Sequence, residues 1–382
     1  MIKYFESTDA GAPTLNNAAG SMIAVLDACL ITGYNSKSIS SITVASGVAT
    51  VVCTGHGYAN TYGKKIRIAG ATGSFTALNK DTDIANVTTN GFTFLCPSVT
   101  DGVATGTLTA KYAPLDWTKQ YSDTNKAMYK RGDVTATGCM LRIDDTAVGQ
   151  SCRALMVQAA TDIDAYTNPA PVAAQIDDGL GQYWDKGYNN ANPADWFIVS
   201  DGLYFYFFVK GVPTGNTYIA QGFGDIVDFK PASVLGCTIA GPVSSGLGSG
   251  GAYSYYGSYV GNACHVVSGG KNGITTSQYL ALESRISNYG VAGSPYPSEV
   301  DGGLVIQYPS LLKEGTDANS NIRGIQPGLA VPIANLEASF SNKLIISNIV
   351  GSPRNFIFVK CAQGIGAGAS FIPLIDLTGP WR

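Results

Sequence analysis

The run Leu203-Tyr204-Phe205-Tyr206-Phe207-Phe208-Val209 is apolar at every position. Successive side chains of a strand point to opposite faces, so this run suits a strand packed on both sides, central in a covered sheet. Asp201-Gly202 stands just before it and Trp196 to Ser200 before that, which together read as a hairpin whose second strand lies inside the fold. Elsewhere the apolar runs are short and alternating, and 46 glycines, 17 prolines and more tyrosine (21) than phenylalanine (14) fit many strands joined by turns. The expected fold is mainly β: a multidomain β-sandwich or barrel with an N-terminal helix and one further helix near 275–288.

The chain divides by composition. In the expected N-terminal arm, residues 1–37, Met22, Ile23, Leu26 and Leu30 recur at helical spacing. Asn16 and Asn17 are the candidate caps, and Gly33 the stop. Residues 38–111 carry about six alternating runs punctuated by Gly, Asn and Asp, including the hairpin signal Thr88-Thr89-Asn90-Gly91, and read as a small inserted barrel. Residues 112–240 read as the first part of a β domain, 241–273 as a Gly/Ser/Tyr-rich loop, and 274–382 as the second part. Within that loop Tyr253, Tyr255, Tyr256 and Tyr259 are candidate assembly contacts, because tyrosine among Gly and Ser gives rigid contact area with adaptable hydrogen bonding.

Charged residues make up 13% of the chain, about half the usual share, and the net charge is −3. That balance offers no general attraction to nucleic acid or to an anionic membrane, and neither is expected as a partner. The longest apolar stretches fall well short of the roughly 20 residues that span a bilayer. The N-terminus, with Glu6 and Asp9 soon after Lys3, does not read as a signal peptide, so synthesis in the cytoplasm is expected. Eight cysteines stand at wide spacings with only two histidines, which is not a zinc pattern. Most read as small buried hydrophobes; Cys139 and Cys152, flanking the turn Asp144 to Gly149, are the expected pair if any disulfide forms.

The search for chemistry finds no specific catalytic signature and no cofactor motif. His56 in Thr54-Gly55-His56-Gly57 reads as a turn histidine with no nucleophile or carboxylate beside it. Cys264 and His265, adjacent on a strand, would face opposite ways. The acid pairs Asp144-Asp145, Asp162/Asp164 and Asp177-Asp178 have the residue type of a glycosidase or a calcium site, yet each sits among turn residues where Asp is routine. Lys126, Lys130 and Arg131 form a short basic cluster that reads as a solvated face.

Two resemblances follow from these residues. The segment from Ser41 to Leu108, with Gly55-His56-Gly57, Ile66-Arg67-Ile68 leading to Gly70, Leu78-Asn79, Val87, Phe92-Thr93-Phe94 and Gly106-Thr107, resembles the small β-barrel of the first catalytic-cysteine half-domain of ubiquitin-activating enzymes, a module also found in phage virion proteins. That resemblance implies a barrel without catalysis, and Cys53 is not read as a catalytic cysteine. The full chain resembles structural proteins of tailed bacteriophages through Phe5-Glu6-Ser7, Ala12-Pro13-Thr14-Leu15, Ala113-Pro114-Leu115-Asp116-Trp117, Asp195 to Asp201, Ile322-Arg323-Gly324, Pro327-Gly328-Leu329 and the terminal Asp376 to Arg382. The resemblance implies a non-enzymatic virion component assembled in the host cytoplasm, in the tail or baseplate and with a fibre-anchoring role. Capsid decoration, a neck position, and host-glycan binding are the alternatives, and a glycan depolymerase ranks behind them. The expected partners are other virion proteins and copies of the chain itself, a trimer among the arrangements, with a host-surface glycan under the glycan reading.

Overall fold

The computed structural model describes residues 1–173, 179–188, 190–212, 215–229, 236–241, 266–268 and 278–283, together with 303–382 apart from 305, 315–321, 333–335, 337–339, 348, 350–351 and 363–368. The chain is mainly β, in several sheets.

Strand β1 (Lys3–Glu6) is followed by helix α1 (Ser21–Leu26), which buries Met22, Val25 and Leu26. The helix widens into one looser turn at Asp27–Thr32 that buries Cys29 and Leu30, and Gly33, at φ 70°, ends it. Neither Asn16 nor Asn17 caps it, contrary to expectation. The helix starts after Gly20, and the free N–H of Met22 is met at 2.9 Å by the Asp145 carboxylate, 123 residues away in sequence. Asp145 is itself fully buried against Lys186, so charge at the helix start is balanced inside the protein.

Next come β2 (Tyr34–Ser38), β3 (Ser41–Ala45), β4 (Val48–Val52), β5 (Ile66–Thr72), β6 (Asp81–Thr82), β7 (Ala85–Thr88), β8 (Gly91–Leu95), β9 (Gly102–Val103) and β10 (Thr105–Tyr112). They form two sheets, ordered β2-β10-β5-β6 and β7-β8-β4-β3-β9, with Ile42, Val44, Val51, Phe92 and Phe94 of one and Ile66, Ile68, Leu108 and Ala110 of the other in a common core. Alternation decides which side is buried: β4 reads exposed, buried, exposed, buried, exposed. Between β5 and β10 the register shifts at two glycines with positive φ. A Cβ on Gly70 would lie 1.9 Å from the Thr107 carbonyl oxygen, and one on Gly106 would lie 2.0 Å from that of Gly70, so only glycine fits either place.

A five-stranded antiparallel sheet follows, made by β11 (Thr118–Asp123), β12 (Lys126–Lys130), β13 (Met140–Asp144), β14 (Ser151–Val157) and, after the short pair β15 (Ala159–Ala160) and β16 (Tyr166–Thr167), β17 (Gln182–Asp185). Met128, Met140, Leu155 and Val157 form a small core on one face with Ile163, Ala160 and Tyr166 packed on them.

The largest sheet is built on β18 (Trp196–Ser200), β19 (Tyr204–Lys210) and β20 (Tyr218–Asp225), with β1 alongside β18 and, beyond β20, the strands Cys237–Ala240, Val266–Ser268, Gln278–Glu283, Ser310–Glu314 and Ile322–Gln326. The doubly apolar run is central, as read. Its alternate residues enter two different cores. Phe205, Phe207 and Val209 join Trp196, Ile198 and Phe223 in the core shared with the barrel and the five-stranded sheet. Tyr204, Tyr206 and Phe208 join Phe197, Val199 and residues of the C-terminal strands such as Leu329, Ile357 and Trp381. The helix expected near 275–288 is corrected: Gln278–Glu283 is a strand, paired on one side with Val266–Ser268 and on the other with Ser310–Glu314. Six residues with neighbours on both edges satisfy their backbone groups in the sheet, and that outweighs a helical spacing of Tyr279, Leu280 and Leu282.

Charged residues fasten the inserted barrel to the body. Lys64, almost wholly buried, binds Asp9 at 2.6 Å and Glu6 at 3.1 Å, and its ammonium sits 4.2 Å from the centre of the Tyr4 ring. Lys343 reaches Glu6 at 2.7 Å from the other side, and the Tyr34 hydroxyl donates to Asp9 at 2.7 Å. Lys3 pairs with Asp81, and Arg67 forks Asp81 and Asp116.

Candidate interaction surface

The residues singled out as carriers of chemistry are held in structural roles. His56 is buried; its Nδ1 accepts the Tyr58 N–H at 2.9 Å, and the ring stacks on Tyr58 and meets the edge of Phe92. Accepting at Nδ1 leaves the proton on Nε2, which faces the Gly91 carbonyl at 3.4 Å. The ring therefore ties one barrel turn to β8. Cys53 points its sulfur at the Ser38 carbonyl at 3.5 Å, and burial pushes its thiol up, the opposite of an activated nucleophile.

The acid pairs separate. Asp144 lies at the end of β13, where partial burial works to raise its carboxyl and the Thr146 hydroxyl and N–H, with Arg142 and Lys126, bring it below the usual range. Asp145 instead turns inward to Lys186 and α1. Asp164 pairs with Lys126 at 2.8 Å and with Arg142, which hold its carboxyl low, while Asp162 accepts the N–H of Ile163. Each described carboxylate of these pairs is thus committed to a cation or a main-chain donor. Asp177 and Asp178, Cys264 and His265, and Tyr253, Tyr255, Tyr256 and Tyr259 lie outside the described residues.

Two expectations are corrected. Lys126, Lys130 and Arg131 do not form one solvated face: Lys130 is exposed, but Arg131 is buried against Asp225 at 3.0 Å. Nor do Cys139 and Cys152 face each other; both are free thiols. The hairpin turn falls where the sequence places it, but the register sets Met140 opposite Val157 and Asp144 opposite Arg153. Cys139 lies just outside the first pair and Cys152 just inside the turn from the second, so the two sit at opposite ends of the hairpin.

What remains is a surface. Sequence reasoning missed it, although the alternation that predicts the barrel core also names its outer face. On the β7-β8-β4-β3-β9 sheet the outward positions are Thr43, Ala45, Val48, Thr50, Val52, Leu95 and Val103. Val48 lies directly between Ala45 and Leu95, and Thr50 between Thr43 and Thr93. Leu95 is 71% exposed and Val103 60%. Of the twelve large apolar side chains exposed among the described residues, four are on this one sheet. Strands β3, β4, β8 and β9 carry no charged residue at all. Charge stays at the rim, where Asp101 accepts the Ser46 N–H and Lys80 donates to the Leu95 carbonyl, or on β5 and β6 toward the body. An uncharged Val/Thr face of this kind has the composition of the dry centre of a protein interface.

Compared with models of known protein families the chain matches none, and no curated protein matches it.

Proposed function

We propose that the chain is a non-enzymatic structural component of a tailed-phage virion, placed in the tail or baseplate region with a fibre-anchoring role, and that the inserted barrel is its contact module. The observation that carries this reading is the uncharged outer face of β3, β4, β8 and β9, displayed on a module fastened to the body by buried ion pairs. A permanent subunit contact needs a rigid, desolvated patch free of charges that would have to be stripped of water. The resemblance to virion proteins supplies the setting, and the 13% charge content suits a chain that spends its life against neighbours. Other virion proteins and further copies of the chain are the partners this reading names. Host-glycan binding draws less support: all four tryptophans, Trp117, Trp184, Trp196 and Trp381, are buried, so none offers a sugar platform.

Cryo-electron microscopy of purified particles of the encoding phage tests the proposal. Density for this chain at the distal tail, with the barrel face against a neighbour, is the expected result. Density on the capsid or neck replaces the tail position with the decoration or connector reading, and absence from particles overturns the proposal altogether. The variant pair Val48→Lys with Leu95→Glu, at exposed positions, should leave folding within about 0.5 kcal/mol of the parent and abolish incorporation.

A further inference from the structure

Where the inserted barrel meets the body, Lys64, Asp9 and Glu6 are arranged for more than an ion pair. The Tyr4 N–H donates to the Gly63 carbonyl at 2.8 Å, which pins the main chain next to Lys64 against β1. Lys64 Nζ lies 2.6 Å from Oδ1 and 2.7 Å from Oδ2 of Asp9. Near-equal distances to both oxygens set the nitrogen in front of the carboxyl carbon, about 3 Å away, the separation of a near-attack arrangement. Glu6 Oε1 touches the same Nζ at 3.1 Å. Asp9 Oδ2 is held by two further donors, the Tyr34 hydroxyl at 2.7 Å and the Glu6 N–H at 3.0 Å. The Lys64 and Asp9 side chains are 1% and 2% exposed, and the Tyr4 and Tyr112 rings lie 4.2 and 5.9 Å from the ammonium, so bulk water is kept from the pair. Lys186, equally buried, lacks this arrangement: it meets Asp145 through one oxygen and otherwise the Ala18 and Ala147 carbonyls, with no second carboxylate among them.

The geometry points to Lys64 and Asp9 as the two ends of an intramolecular amide bond that the folded chain forms by itself, with Glu6 moving a proton between them. The ion pair is the state before the bond forms. First an ammonium proton passes from Nζ to Asp9 Oδ1, giving an amine and a carboxylic acid, a neutral pair that burial favours over two charges. The Nζ lone pair then bonds Cγ, and the carbonyl electron pair moves onto Oδ2. The Tyr34 hydroxyl and the Glu6 N–H already point at that oxygen, as an oxyanion hole requires. The Glu6 carboxylate takes a second proton from the now positive Nζ. When the electron pair returns from Oδ2, the Cγ–Oδ1 bond breaks and the departing hydroxide takes the proton from Glu6, leaving as water. Two ammonium protons and one Asp9 oxygen make the water, nitrogen keeps one hydrogen, and nothing is oxidised or reduced. Charge stays balanced afterwards, because Glu6 keeps Lys343 at 2.7 Å while Lys64 and Asp9 become one neutral amide. The bond closes a loop across 55 residues and ties the barrel covalently to the N-terminal arm.

The test follows the intact mass of the purified full chain, held folded at pH 7 and 37 °C for about two weeks, and maps its tryptic peptides. The expected product is one water lighter, about 18 Da. Its digest should contain the peptide 4–37 joined to 38–65, uncut after Lys64 and not split by dithiothreitol. Lys64→Arg keeps a cation but offers no amine to attack, and should stay at full mass. In Glu6→Gln the bond should form at least about 100-fold more slowly; formation at the parent rate would remove Glu6 from the mechanism and overturn the assignment. Full mass throughout in folded wild type, or a water lost within a single peptide, overturns the bond itself. Mapping the wild type decides the matter even if a variant does not fold.

Discussion

Asp185 offers the sharpest test of how burial governs this molecule. It lies at the end of β17, fully buried; its Oδ1 accepts the Gly187 N–H at 2.6 Å, and its Oδ2 has no hydrogen-bond partner. Gln221 occupies its main chain, accepting the Asp185 N–H and donating to the Asp185 carbonyl. Lys186, the next residue, is spent on Asp145. Burial therefore pushes the Asp185 carboxyl up to about 7, only partly opposed by the main-chain donors. In the unfolded chain the same group titrates near 3.9. Between those values the native state holds a proton that the unfolded state has released, so stability falls as pH rises. The contribution of protonated Asp185 is complete below about pH 4 and lost as pH climbs through about 7. About three pH units at 1.36 kcal/mol each give a loss of about 4 kcal/mol by pH 8, of which about 1.5 kcal/mol has gone by pH 5. Asp185→Asn carries the neutral shape at every pH. Urea denaturation of both proteins at pH 5 and pH 8 should show the variant gaining about 2.5 kcal/mol on the wild type between the two. Other titrating groups cancel in that difference. A difference that stays constant within about 0.5 kcal/mol would refute the reasoning.

Glu6 titrates in the opposite sense. Burial works to raise its carboxyl, but Lys64 and Lys343 hold it at about 2, so its contribution is present above about pH 4.5 and lost as pH falls through 2; Glu6→Gln should cost about 2 kcal/mol at pH 7 and only a small fraction of that at pH 2 by urea titration, allowing for partial exposure. Asp145→Ala strands the buried Lys186 charge and uncaps α1, and should cost about 3–5 kcal/mol, read by the same titration. Gly70→Ala forces a Cβ into the Thr107 carbonyl and should cost about 2–4 kcal/mol, with hydrogen exchange accelerating first in β5 and β10.

Patterns that depend on neighbours in sequence were legible, and those set by distant partners were not. The two-faced run Leu203 to Val209 and the alternating barrel strands could be read because strand periodicity assigns each side chain to a face before any partner is known. The Asp201-Gly202 turn was legible for the same reason, its Asp201 carboxylate taking the N–H groups of Leu203 and Tyr204. Gln278 to Glu283 fits both a helical and a strand period over six residues, and only its pairing on both edges decides between them. The Asp145 cap and the Lys64–Asp9 pair join residues far apart along the chain. No local spacing encodes such contacts. Cys139 and Cys152 show how narrow the margin is: the turn between them was correctly placed, and a register that pairs Asp144 with Arg153 still sends them to opposite ends.

Tyr34 and Tyr112 are direct partners across β2 and β10. The chain therefore leaves the body and comes back to it at one point, and everything between them behaves as a cassette: its length and content can change without altering the path of the remainder. Evolution or an engineer can exchange that payload at a single splice only where the new one also refills the apolar core it shares with the body. Any replacement must again present a cation to Asp9 and an acid to Lys3, because the clasp at the splice is built half from the cassette and half from the host.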